Sequence, residues 1–156
     1  MSNELSAAFF ASIITFVLSG ISSCVKSKIQ SKKSIKKAKT YINDELNIIH
    51  STLTEIDNVL SNNGNPPIQK IQSLVRFIHP SEALKNQIVE LPNEDIRRKI
   101  NIFYNDLFHA VNIDFSRLYS LGNEQDQSVI NERSDIKSKF KELLKAIEDI
   151  KSGLKT

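Results

Sequence analysis

Residues 41–60 read YINDELNIIHSTLTEIDNVL. Ile42, Leu46, Ile49, Leu53, Ile56 and Leu60 follow one another in alternating steps of four and three. With Ile35 upstream, the isoleucines at 35, 42, 49 and 56 stand seven apart and the leucines interleave. This spacing marks a helix with a heptad seam, Leu at a and Ile at d. Lys39 takes the a position before Leu46, so the seam is strong only from about residue 42. In parallel coiled coils the Leu/Ile choice leans toward more than two strands. The same seam serves a helix packed in its own bundle, and that reading is preferred because more helices come after it.

Upstream, no Pro or Gly occurs between Ile21 and Asn63, so the helix can run back toward the N-terminus. Residues 26–39 hold Lys26, Lys28, Lys32, Lys33, Lys36, Lys37 and Lys39 and no acid. Residues 40–156 hold 14 Lys+Arg against 17 Asp+Glu, a sum of −3. The overall +3 is therefore an average of two unlike regions. A nucleic-acid binder shows its basic excess on the folded domain, so no nucleic-acid partner is expected. Lysines beside an apolar run point to anionic lipid headgroups instead.

That run, LSAAFFASIITFVLSGISSCV (5–25), has 21 residues without a charge. As a helix it would reach roughly 31 Å, the thickness of a bilayer core. Seven lysines after it and none before it predict a signal anchor, N-terminus outside and C-terminal domain cytosolic. Two other readings compete. Ile21 to Cys24 resembles a lipobox, which would make Cys24 a lipidation site and the chain an exported lipoprotein. The missing positive n-region and the lysines past Cys24 oppose that. The run could also be a buried helix of a soluble protein, but a chain this short has little else to cover it. Ala7, Ala11, Thr15, Ser19 and Ser23 recur every four residues, a small-residue face that suits self-association of spans. A juxtamembrane Cys24 could instead be palmitoylated.

Downstream, SNNGNPP (61–67) breaks the helix and the two prolines suit the start of the next. Ile68, Ile71, Val75 and Ile78 are expected to share a face. HPSE (79–82) interrupts, a short helix over about 83–91 comes next, and Asn93 is a cap with acids in the first turn. One long helix then carries Ile96, Ile100, Phe103, Leu107, Val111, Phe115 and Leu118 on one face and closes near Gly122. A last helix carries Val129, Ile136, Phe140, Leu143, Ile147, Ile150 and Leu154, with Arg133 at its polar seam position. The expected fold is all-α: a transmembrane anchor (1–25), a basic juxtamembrane segment (26–40) and a helical bundle of about four helices (41–156).

Little in the chain suggests chemistry. One cysteine excludes a disulfide framework or a multi-cysteine metal site. Of His50, His79 and His109, the last lies three residues after Asp106, half of a di-metal bundle motif. No second such pair exists, so the pair is read as an ordinary surface pair. Arg97 and Arg98 stand too far from His109, and Arg76 too near His79, for a helical nuclease motif. No Gly-rich phosphate loop occurs. No catalytic, cofactor or metal site is expected. The aromatics read as core, with Phe108 and Tyr119 off the main stripe and open to a partner. The expectation is a membrane-anchored, non-enzymatic scaffold binding an unidentified protein. Its alternatives are a membrane-acting effector that oligomerises through its span, and the exported lipoprotein.

Overall fold

A stretch of 43 residues without Pro or Gly, residues 21–63, rich in Ile and Lys, has no reason to leave the helical well once nucleated. In the computed structural model the first helix, α1, indeed runs unbroken over Ser2–Ser61. The structure describes the backbone of residues 2–62, 64–120 and 127–155, and the side chains of residues 25–62, 64–117 and 129–155. Every regular element among the described residues is helical. The chain divides into two compact units, Met1–Lys37 and Ala38–Thr156.

From Lys26 onward α1 is interrupted by lysines and then by Asp44, Glu45, Glu55 and Asp57. Among the described residues no helix is long and apolar enough to cross a membrane. This corrects the expectation of a single-pass protein with an outer N-terminus and a cytosolic bundle, and with it the transmembrane part of the expected fold. The small-residue face at Ala7, Ala11, Thr15, Ser19 and Ser23, and Cys24, lie outside the described side chains.

In the second unit the α1 seam is the floor of the core. Ile42, Leu46, Ile49, Leu53 and Ile56 are at most 1% exposed. At its N-terminal end the seam residue is Ala38, fully buried, rather than Lys39. The helix end is closed by the Gly64 N–H donating to the Val59 carbonyl at 3.0 Å, a bond across six residues that satisfies an otherwise unpaired carbonyl.

Helix α2 (Ile68–Val75) starts after Pro67, which gives no side-chain cap. Its buried residues are Ile71 and Leu74, followed by Ile78, while Ile68 and Val75 are about half exposed. The buried face is therefore rotated from the expected one. Eight residues offer two apolar stripes, and packing into the shared core, where α2 meets residues 110–114, selects 71/74/78. Lys70 pairs with Glu55 across α1 and α2. Helix α3 (Glu82–Val89) is capped by Ser81, whose hydroxyl accepts from the Leu84 N–H at 3.1 Å. It buries Leu84 and Ile88.

Helix α4 (Glu94–His109) is capped by Asn93, which accepts from the Asp95 and Ile96 N–H groups at 2.9 and 3.3 Å. Glu94 and Asp95 lie in its first turn, where carboxylates meet the positive end of the helix dipole. The chain then passes without a break through a wide, π-type turn, Ala110–Asp114, into α5 (Phe115–Ser120). Helix α6 (Gln127–Lys155) packs along α4, the wide turn and α5. It buries Ile136, Phe140, Leu143, Ile147, Ile150 and Leu154 as its spacing predicts, and Val129 as well. The Phe115 and Phe140 rings meet at 4.8 Å between centroids. Near its end Gly153 lets Ile96 approach so closely that a Cβ there would sit 2.0 Å from Ile96 Cδ1.

Candidate functional site: a basic helix face and a cavity at a wide turn

Residues 25–37 contribute no buried side chain. Lys26, Lys28, Lys32, Lys33, Lys36 and Lys37 are all exposed. At about 100° per residue, these six fall on one half of the helix circumference. Ser27, Gln30, Ser31, Ser34 and Ile35 occupy the other half. Val25 and Ile29, each 50% exposed, are one turn apart and lie at the middle of the lysine half. No acid lies between Glu4 and Asp44 in the sequence. Lys39 departs from this group. It belongs to the second unit, is half-buried, and lines a cavity of about 290 Å³ with Leu91, Pro92, Asn93 and Leu154.

A second place gathers titratable groups. The apolar positions along α4 and beyond are Ile96, Ile100, Phe103, Leu107, Val111 and Phe115, and the last three steps are all of four. Repeated steps of four drift around a straight α-helix by about 40° each. The wide turn at Ala110–Asp114 absorbs the drift, so both Val111 and Phe115 stay buried. It also turns Asp114 inward. Asp114 is the buried charged residue among the described ones, 4% exposed. Lys139 Nζ donates to Asp114 Oδ1 at 2.7 Å. Its own side chain is half exposed, so the pair has one buried and one wet end.

Asp106, His109, Ala110 and Asp114 from this stretch line a cavity of about 310 Å³ with Lys139, Glu142, Leu143 and Ala146 of α6. The structure thus gives Asp106 and His109 two charged neighbours from α6, Lys139 and Glu142, beside Asp114 of their own stretch. Among the described residues no group of three His, Cys, Asp or Glu side chains could hold a metal ion. The cavity's polar groups are suited to hydrogen bonding and charge contact.

The other histidines stand apart from this cavity. His50 is half-buried on α1. His79 is exposed and its ring lies 5.4 Å from that of Phe108, which in turn lies 5.8 Å from His109. Phe108 is half-buried in this stack, and the Tyr119 side chain lies outside the described residues. Across α1 and α4, Tyr104 Oη donates to Glu45 Oε1 at 2.8 Å. Burial, and then the Glu45 carboxylate, push the Tyr104 phenol far above its ordinary value. Asp95, fully exposed, is held below the usual carboxylate value by hydrogen bonds from Arg98 and Lys99.

Sequence reasoning does not single out Asp114, Lys139, Glu142 or the Tyr104–Glu45 bond. The one available signal is the run of three four-residue steps from Phe103 to Phe115, which hints at a turn wider than α. No protein-family model, curated protein or solved structure matches this chain.

Proposed function

We propose that the chain is a non-enzymatic helical interaction module, a bundle carrying a basic helix face that contacts an anionic partner. The observation behind this reading is the one-sided lysine face of residues 26–37, exposed along its length in a stretch that itself holds no acid. Placing six like charges on half a helix costs repulsion, and contact with an anionic surface relieves it. Two of the bundle's inner polar contacts are structural pairs, Asp114 with Lys139 and Glu45 with Tyr104, while Asp57 Oδ1 and Arg97 Nε are buried without a hydrogen-bond partner.

The test uses the full chain on immobilised heparin as a generic polyanion. Wild type is expected to be retained at low salt and released as the salt concentration rises, since such contacts are screened. Changing Lys28, Lys32, Lys33 and Lys36 to Gln should move elution to clearly lower salt with the circular dichroism unchanged. Identical elution of the two proteins would overturn the reading.

A further inference from the structure

We infer that the anionic partner of the α1 face is a lipid bilayer surface carrying acidic headgroups, on which residues 25–37 lie flat. This rests on the interaction-module reading and names its partner. The decisive feature is the place of Val25 and Ile29 at the middle of the lysine half, each 50% exposed.

A face that met only phosphates would have no use for two aliphatic side chains between its lysines. A face at a bilayer interface has. There the apolar side chains enter the headgroup–acyl boundary, and the flanking lysines bury their methylene stems while their ammonium groups stay at headgroup level. The opposite half, with three serines, Gln30 and one half-buried aliphatic, Ile35, is the more polar one and suits the aqueous side. The charge is of the right sign, and six lysines exceed the four at which a basic cluster reads as a ligand for acidic lipid. The contact is peripheral, needs no membrane-spanning helix, and leaves the second unit's seam from Ala38 onward in its own core.

The full chain is mixed with phosphatidylcholine vesicles with and without phosphatidylserine, and with a short duplex RNA, and co-sedimentation and fluorescence anisotropy are read. Of the two vesicle types, binding is expected only on those with phosphatidylserine, reversed by high salt and tighter than any low-salt binding to the RNA. The four-lysine Gln variant should bind these vesicles more than about tenfold more weakly. Val25→Ser combined with Ile29→Ser should lose about tenfold on vesicles and nothing on heparin, because heparin offers no apolar phase. If this double variant binds vesicles like wild type, or if both vesicle types bind equally, the bilayer assignment is wrong. Binding to RNA and heparin but to neither vesicle overturns the bilayer assignment while leaving the module reading intact. No binding to any anion overturns both.

Discussion

Asp114 sits 4% exposed at the edge of an apolar core, and one ammonium group answers it. A buried carboxylate without its partner costs several kcal/mol, about 3–5 where the pair is fully enclosed. The Lys139 side chain is half exposed, so solvent screens part of the loss, and Lys139→Met should destabilise by about 1–2 kcal/mol. Asp114→Asn in the same background should recover part of it, since a neutral amide is easier to bury. Urea midpoints of the two single variants and the double variant give the coupling; additive effects would show that the contact contributes nothing. At Tyr104 the sign runs toward alkaline pH. A phenol whose folded value is raised favours folding while it stays neutral. That contribution is fully present below the ordinary phenol value of about 10 and fades as pH rises past it. Tyr104→Phe should cost about 1 kcal/mol at neutral pH and flatten the loss of stability above about pH 10. An unchanged alkaline limb in the variant would remove Tyr104 as its cause. Neither contact is legible in the sequence. Asp114 and Lys139 are 25 residues apart and Tyr104 and Glu45 are 59 apart, and each pairing depends on how helices pack, not on spacing along one of them.

The wide turn at Ala110–Asp114 holds one residue more than an α-turn would. Removing one residue there should therefore restore an α-helix and keep the downstream segment in its present orientation. Deleting the exposed Asn112 is expected to leave Phe115 facing Phe140 and the helical content near wild type. Deleting the equally exposed Asn105, in regular α4, should rotate everything downstream by about 100° and expose either Phe115 or Leu107. Near-UV circular dichroism and urea midpoints compare the two deletions; equal damage would show that the turn is not acting as an inserted residue. At this scale much is legible. Ile42–Leu60 and Ile136–Leu154 hold their seams because a strict heptad rule leaves one choice of face. The Ser81 and Asn93 caps arise from local chemistry. The face of helix α2 is not legible, because an eight-residue segment with two apolar stripes has no single face. Nor is the burial of Ala38, because alanine is at home both inside and outside.

Across the whole molecule the second unit holds one continuous core running from Ala38 to Leu154. Residues 25–37 give it no buried side chain. Helix without tertiary packing is marginal in water, while core helices open only with global unfolding. Native-state hydrogen exchange should therefore separate the two. Amides of residues 46–60 and 136–154 should exchange at the global limit and those of residues 27–36 orders of magnitude faster. Slow exchange throughout residues 27–36 in dilute protein would mean that a partner already covers them. The bundle and the lysine cluster are visible in the sequence because both are written in composition and period. The division of α1 at Lys37 and Ala38 is not, since no Pro, Gly or change of helix propensity marks it.

The chain has no tryptophan and three tyrosines, which gives the Tyr104–Glu45 bond an optical meaning. A phenol hydrogen-bonded to a carboxylate loses excited-state energy by handing its proton across, so Tyr104 should be dark in the folded protein. Separation of α1 from α4 breaks that bond, and emission near the tyrosine maximum should rise rather than fall. The bundle thus carries its own unlabelled gauge of whether its first and fourth helices are together.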